Sequence, residues 1–194
     1  MIKKIYKNII NKWVIGIDRD GAFKLCIFGD GGVGKTTLIK RYLTKVFDED
    51  LKMTIGADFS IKELDINGIT ARLRIWDFAG EERFKVLLPS FAKGADGGIF
   101  MFDTTRYASL KNINDWLSIF ERSIADQQIE IPIIMVGGKI DLENKRSVDS
   151  EEAQDLADKY SLQGYFECSS KTGENVEQIF EFITRIMIEN ANLV

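Results

Sequence analysis

The fold of this chain is decided by the stretch from Ala22 to Tyr42, AFKLCIFGDGGVGKTTLIKRY. A buried-strand pattern runs without a gap into a glycine-rich loop and then into a helix. The loop fits the pattern G-x-x-x-x-G-K-[ST], in which glycines let the backbone wrap around phosphate so that successive N–H groups point inward. Because the strand and the helix that this pattern requires are both present, we predict a phosphate site rather than a chance match.

The loop residues have separate expected roles. The backbone of the loop and the N-terminus of the following helix would surround the phosphates. The Lys35 ammonium would reach the β- and γ-phosphates, and the Thr36 hydroxyl would bind Mg²⁺, which prefers oxygen ligands. The residues assigned to nucleotide binding in this loop are Gly29, Asp30, Gly31, Gly32, Val33, Gly34, Lys35, Thr36 and Thr37.

The composition excludes several classes of protein. A chain of 194 residues with 45% apolar content can bury one large core, so we expect one domain. A net charge of −4 argues against a nucleic-acid binder, which normally carries a basic stripe. The chain has no histidine, which excludes a Ser-His triad and leaves positioning, charge and a metal ion for catalysis. Its two cysteines form no disulfide or metal pattern, which favours a reducing compartment.

The first twenty residues, MIKKIYKNIINKWVIGIDRD, differ from the rest of the chain. They carry five basic and two acidic residues, and apolar residues recur at three- and four-residue steps over residues 2–17. This pattern predicts a basic amphipathic helix. Such a helix either lies on an anionic membrane surface or packs its apolar stripe on the domain itself, and the pattern does not decide between the two.

Beyond the loop, apolar runs of strand length alternate with helical periodicity. We predict helices over 34–45, 110–124, 151–160 and 175–188, and strands over 57–66, 69–77, 97–103, 131–136 and 165–168. Asn67-Gly68 predicts a hairpin turn, and the mixed segment 81–93 is expected to be partly helical and broken by Pro89. The alternation is typical of βαβ units in a mostly parallel sheet, which binds ligands at the carboxyl ends of its strands.

Three further loops lie at such strand ends: DFAG over 77–80, GGKID over 137–141 and SSK over 169–171. These loops, the phosphate loop and Thr54 follow one another in a characteristic order and spacing. In this respect the chain resembles the Ras superfamily of small GTPases over about residues 22–188, and its Rab-like group most closely. The resemblance implies an α/β P-loop NTPase fold, a three-layer sandwich whose six-stranded sheet is mostly parallel, with one antiparallel edge strand from the hairpin and about five helices. It divides the chain into an N-terminal extension (1–20), a GTPase domain (21–190) and a short tail (191–194).

The resemblance also implies two switch segments. Thr54 matches the first-switch threonine that binds Mg²⁺ and senses the γ-phosphate, so Thr36, Thr54 and Asp77 form the expected metal site. The Gly80 N–H would contact the γ-phosphate. Glu81 stands where the family glutamine orients the attacking water, and its carboxylate would either accept the proton of that water or repel the phosphate. The expected catalytic residues are Lys35, Thr54, Gly80 and Glu81.

Guanine recognition is implied by a second group of residues. Asp141 would accept two hydrogen bonds from the guanine amino and imino groups, which adenine does not supply. Lys139 would lie over the base and brace the phosphate loop. Gly138 replaces the family asparagine and so removes one hydrogen bond to the base, at a cost of about 0.5–1.5 kcal/mol. Completing the expected base site are Phe47, Ser169, Ser170 and Lys171.

The expected partners are effectors, exchange factors and GTPase-activating proteins. Phe59, Trp76 and Phe91 match a Rab-like aromatic triad beside the switches, although aromatic residues are also common in cores. The sequence ends in Asn-Ala-Asn-Leu-Val, without the cysteines that Rab-like proteins prenylate, so we expect no such anchor. A cytoplasmic protein is expected, with residues 2–17 as its alternative route to a membrane surface.

Three functions are consistent with this pattern. The first is a switch that hydrolyses GTP slowly with Mg²⁺. The second is a scaffold that binds GTP or GDP without useful hydrolysis because of Glu81 and Gly138. The third, an ATP-using phosphotransferase, fits less well because Asp141 and the 169–171 loop favour guanine.

Overall fold

The structure, a computed structural model, describes residues 21–125 and 130–193. Within these ranges six strands form one sheet in the order β2-β3-β1-β4-β5-β6. The strands are β1 (Ala22–Phe28), β2 (Ala57–Ile66), β3 (Ile69–Phe78), β4 (Gly97–Asp103), β5 (Ile133–Gly138) and β6 (Tyr165–Cys168). The α-helices are α1 (Lys35–Thr44), α2 (Leu88–Ala92), α3 (Tyr107–Lys111), α4 (Ile113–Ile124), α5 (Ser150–Lys159) and α6 (Val176–Asn190). Two 3₁₀ helices cover Glu82–Leu87 and Ile140–Lys145.

The sheet is parallel except at one edge. Strand β1 lies between β3 and β4 and is parallel to both, with Leu25 opposite Ile75 and Gly97. Strand β2 is antiparallel to β3 and forms the edge. The predicted fold class is therefore confirmed. This arrangement brings the carboxyl ends of five parallel strands to the same edge of the sheet, where the motif loops begin.

Alternating residues of β1 send side chains into two separate cores. Leu25 and Ile27 pack with helices α1 and α6 on one face of the sheet. Cys26 and Phe28 pack with α2, α3, α4 and α5 on the other face. Because both faces are covered by helices, the central strands are fully buried and read as continuous apolar runs in the sequence. None of the described helices is long and apolar enough to cross a membrane.

Three local predictions were wrong. Pro89 does not break a helix but lies in the first turn of α2, where its missing N–H costs nothing. The predicted helix over 110–124 is two helices, α3 and α4, which meet at Asn112. Strand β5 begins two residues later than expected, at Ile133, where its pairing with Gly98 starts. It also ends two residues later, because the backbones of Gly137 and Gly138 continue the pairing with Phe102 and Asp103.

A partly buried ion pair connects Arg146, in the segment after β5, to Glu167 of strand β6. The Arg146 guanidinium donates to both carboxylate oxygens of Glu167, at 2.8 and 2.7 Å, and Tyr165 and Ser150 donate to the same carboxylate. Although burial alone would raise the pKa of Glu167, the hydrogen bonds from these three residues lower it to about 2. Strand β6 leads directly into the 169–171 loop, so this ion pair lies immediately before that loop.

We expect Glu167→Gln to lower the free energy of unfolding by about 1.5–3 kcal/mol at pH 7, since it removes a charged hydrogen-bond acceptor. A lowered carboxyl pKa stabilises the fold above the unfolded-state value of 4.5, and this contribution is lost as the pH falls towards 2. The difference between the two proteins should therefore shrink over that interval in urea titrations. Glu189→Gln, at an exposed position of α6, is the control. A difference independent of pH would contradict the assigned pKa.

Candidate functional site

The phosphate loop lies between β1 and α1, and its shape depends on close backbone contact. Gly29 has a φ of 137°, and a Cβ atom at this position would lie 2.1 Å from the carbonyl oxygen of Met101. Only glycine is therefore compatible with this approach. Gly31 and Gly32 line a cavity of about 210 Å³, together with Thr37 and the side chains described below.

Lys35 is the buried charged residue among those that line this cavity. Its side chain is buried, and Nζ donates to the carbonyl oxygens of Gly29 and Asp30 at 2.8 and 2.7 Å. Burial lowers the pKa of Lys35 to about 8, although the nearby carboxylates of Asp77 and Asp30 oppose the change. An ammonium has three N–H donors, so one remains for an acceptor such as a phosphate oxygen.

Thr36, Thr54 and Asp77 converge beside Lys35. The two hydroxyl oxygens are 2.7 Å apart, and they donate to Asp77 Oδ2 at 2.5 Å from Thr36 and 3.2 Å from Thr54. The other carboxylate oxygen, Asp77 Oδ1, is buried and has no hydrogen-bond partner among the described residues. Burial raises the pKa of Asp77, against the hydrogen bond from Thr36 and the charge of Lys35.

This arrangement fits a magnesium ion. Hydroxyl and carboxylate oxygens are the ligands that Mg²⁺ prefers, and it usually takes few from the protein. A buried carboxylate oxygen without a partner costs free energy unless a donor or a cation compensates it. Thr36, Thr54 and Asp77 are therefore the residues that would hold the ion.

The segment after β3 is in direct contact with the phosphate loop. A Cβ atom on Gly80 would lie 2.2 Å from Asp30 C and Gly31 N, so the two backbones are in direct contact. Glu81 follows and lines the cavity. Its carboxylate pairs with Arg83, with Nε and Oε2 at 2.8 Å. The carboxylate is thus near the expected γ-phosphate position, with its charge partly balanced.

The loop after β5 is tied to the phosphate loop through Lys139. Its Nζ donates to Gly32 O at 2.8 Å and to Asp103 Oδ2 at 2.7 Å. Although burial alone would raise the pKa of Asp103, hydrogen bonds from Lys139 and Thr105 bring it below its usual value. Sequence reasoning treated Asp103 only as the end of a strand, and it is the residue that holds Lys139 in place.

Asp141 and the 169–171 loop are joined by one hydrogen bond. Ser169, which is fully buried, donates to Asp141 Oδ1 at 2.6 Å. Lys171 Nζ lies 3.8 Å from Glu49 Oε1, at the surface. Of the expected base-site residues, Lys139 alone lines the cavity of the phosphate loop, whereas Phe47, Asp141, Ser169, Ser170 and Lys171 lie outside its lining. The structure therefore joins Lys139 to the phosphate loop and Ser169 to Asp141.

Comparison with known proteins shows the family to which this chain belongs. A model of the Ras family matches residues 24–189. The chain belongs to the Ras family.

The similar proteins extend this assignment to the Rab-like group, as the motifs predicted. The chain is 38% identical over 169 residues to Ras-related protein RABE1e of Arabidopsis thaliana, covering 87% of this chain and 76% of that protein. It is 34% identical over 174 residues to Ras-related protein Rab-19 of Homo sapiens, covering 90% and 79%. It is 37% identical over 181 residues to GTP-binding protein yptV2 of Volvox carteri, covering 90% and 82%. A Ras-family chain of this kind is a guanine-nucleotide-binding protein of the GTPase class.

In this Ras-family chain, the structure shows what lies beside Gly138, the residue that replaces the family asparagine. A Cβ atom on Gly138 would lie 2.6 Å from the terminal methyl of Met101 and 3.3 Å from Val33 O. The buried Met101 side chain thus fills the space that a larger residue at position 138 would need. At this position, apolar packing beside the phosphate loop takes the place of the polar side chain that is typical of the family.

Several residues that position the site were not found by sequence reasoning. Asp30 accepts hydrogen bonds from Trp116 and Asn112, and Arg106 donates to Gly31 O at 2.7 Å. Arg41 of α1 donates to Thr172 O at 3.0 Å, beside the 169–171 loop. No motif marks these residues, because each of them forms its hydrogen bond with a residue that is far away in the sequence.

The three aromatic residues of the expected partner surface form one cluster. The ring of Trp76 lies 5.1 Å from that of Phe59 and 5.5 Å from that of Phe91, between centroids. Lys24 Nζ lies 5.0 Å from the Trp76 ring. All three rings are half-buried, and Trp76 and Phe91 pack against the core. The predicted amphipathic helix over 2–17 lies outside the described residues.

Proposed function

We propose that this protein is a molecular switch that binds GTP with Mg²⁺, hydrolyses it to GDP and phosphate, and changes the conformation of two segments as it does so. The observation that carries the proposal is the convergence of Thr36, Thr54 and Asp77 beside Lys35, with Asp77 Oδ1 buried and unpartnered in the described part of the chain. Family membership supports the choice of nucleotide class.

The chain's own groups supply most of the chemistry. The backbone N–H groups of the phosphate loop and the third donor of Lys35 would hold the β- and γ-phosphates in line for attack. A bound Mg²⁺ would neutralise the charge that develops on the oxygen bridging these phosphates. A water molecule near Glu81 and the Thr54 carbonyl would be the nucleophile.

Guanine selectivity is assigned to the second group of residues. Asp141 would accept hydrogen bonds from the amino and imino groups of the base, with its carboxylate oriented by Ser169. Lys139 would lie over the base while it donates to Gly32 O. Phe47, Ser170 and Lys171 would complete the surroundings of the base.

The two switch segments would respond to the γ-phosphate. Thr54 belongs to the first segment, and its hydroxyl reaches the metal site from a part of the chain without helix or strand. Gly80 begins the second segment and touches the phosphate loop. Loss of the γ-phosphate removes a partner from both segments at once, which is how such loops are released.

Turnover is expected to be slow. Among the described residues that line the cavity there is no arginine. Arg106, the guanidinium that touches the phosphate loop, donates to the Gly31 carbonyl oxygen. Without an arginine directed at the transferring phosphate, the rate of unassisted GTPases, below roughly one turnover per minute, is the expected range.

The pairing of Glu81 with Arg83 favours a second candidate function, a nucleotide-binding scaffold with little hydrolysis. The Arg83 guanidinium engages one oxygen of the Glu81 carboxylate, which then has a partner other than an attacking water. Gly138 contributes in the same direction by weakening the hold on the base.

Single-turnover release of phosphate from bound GTP distinguishes the two functions. For the switch we expect measurable GTP loss within an hour with Mg²⁺ and a strongly reduced rate when the metal is chelated. Glu81→Gln then tests the role of this carboxylate, and Glu189→Gln, at an exposed position of helix α6, is the control. GTP that stays intact over hours, with hydrolysis appearing in Glu81→Gln, would support the scaffold instead.

We also propose effectors, exchange factors and activating proteins as partners, with the cluster of Phe59, Trp76 and Phe91 as part of their binding surface. Its half-buried rings beside the switch segments match the aromatic anchors of protein interfaces. The N-terminal residues 2–17 are proposed to bind a membrane surface.

Co-sedimentation with anionic liposomes tests the membrane proposal. We expect the full chain to sediment with vesicles, and more weakly at high salt, because its N-terminal segment carries five basic residues against two acidic ones. A chain that starts at Ala22 should remain in the supernatant. Equal behaviour of the two chains would contradict the proposal.

A further inference from the structure

The phosphate loop is held in place by two donors from the start of helix α4. Trp116 Nε1 donates to Asp30 Oδ1 and Asn112 Nδ2 donates to Asp30 Oδ2, each at 2.8 Å. Asn112 occupies the N-cap position of α4, yet its side chain makes no capping hydrogen bond and donates to Asp30 instead. The Trp116 side chain is fully buried. Both carboxylate oxygens of a phosphate-loop residue are therefore fixed by neutral donors.

The ring of Trp116 is also covered by the second switch segment. Lys85, from the 3₁₀ helix Glu82–Leu87, has its Nζ 4.9 Å from the indole centroid. The Lys85 side chain is only 11% exposed, which is unusual for lysine, and it pairs with Glu82 at 2.8 Å. A cation over an indole ring is attracted by the π electrons, and more strongly when it is desolvated.

The two contacts reinforce each other through the ring. A cation over the π system withdraws electron density and makes the indole N–H a stronger hydrogen-bond donor. The negative charge of Asp30 in turn favours a cation on the same ring. We propose that Trp116 is a positioning residue for the phosphate loop, and that docking of Lys85 on its ring stabilises the loop conformation that retains nucleotide.

This inference deepens the proposed function and rests on it, since it concerns retention of a guanine nucleotide. It adds a second connection to the backbone contact at Gly80. That contact joins the beginning of the second switch segment to Asp30 directly, whereas Lys85 lies further along and acts through a side chain of α4. Displacement of the 3₁₀ helix would therefore loosen Asp30 even if Gly80 kept its place.

A double-mutant cycle on GDP release tests the connection. We expect Lys85→Met, which keeps the packing but removes the charge, to speed release of a fluorescent GDP about three- to tenfold, the size of one cation–π contact. Trp116→Phe keeps an aromatic ring but removes the N–H, and should also speed release. Because the lysine acts through that N–H, adding Lys85→Met to Trp116→Phe should cause no further acceleration.

The matched control is Lys111→Met. Lys111 Nζ lies 4.8 Å from the Tyr107 ring in the neighbouring helix α3, which is the same kind of contact, but the side-chain donors to Asp30 are Asn112 and Trp116 and not these two residues. This variant should release GDP at the wild-type rate. Equal acceleration by Lys85→Met with and without Trp116→Phe, or none at all, would overturn the inference.

A spectroscopic measurement keeps the test independent of nucleotide handling. The chain has three tryptophans, so Trp13→Phe with Trp76→Phe leaves Trp116 as the sole emitter. Its emission should shift on adding Lys85→Met and stay unchanged on adding Lys111→Met. A Trp116 emission maximum that is the same with and without Lys85→Met would overturn the inference. A wild-type chain that retains neither GDP nor GTP would instead contradict the proposed function.

Discussion

The site depends on a phosphate loop that is fitted between two neighbouring backbones. On one side, Gly29 approaches the Met101 carbonyl so closely that a Cβ atom would lie 2.1 Å away. On the other, a Cβ atom on Gly80 would lie 2.2 Å from Asp30 C. Strand β4 therefore fixes the loop from within the sheet, and the segment that begins at Gly80 contacts it from outside. A displacement of that segment therefore acts directly on the loop.

Charged groups surround this loop. Lys35 is buried and bound to the loop's own carbonyls, and Asp77 stands nearby with one oxygen unpartnered among the described residues. Such groups are costly to bury without a partner, and a nucleotide with its magnesium ion would compensate both. Stability and function would thus be linked, because a bound nucleotide and cation would add to the balance that Lys35 and Asp77 already give each other.

The order of the strands and the motif loops that follow them were predictable from the sequence, because both follow from local periodicity and spacing, whereas the ends of β5 were misplaced by two residues. The role of Trp116 was not, since an apolar stripe at helical spacing shows that a residue is buried but not where its N–H points. Asp103 was missed for the same kind of reason, as its partner Lys139 comes from a different strand end. Pro89 was misread because proline favours both the end and the first turn of a helix, and the local sequence does not distinguish them.

Competition between GTP and ATP for a fluorescent guanine nucleotide bound with Mg²⁺ is the sharpest test of this site. We expect GTP to displace the probe at a concentration at least a hundredfold lower than ATP, because about two hydrogen bonds to the Asp141 carboxylate, roughly 1.5–3 kcal/mol each, are lost with adenine. Displacement by ATP at the same concentration as GTP would contradict the assignment of Asp141 and its neighbours to guanine.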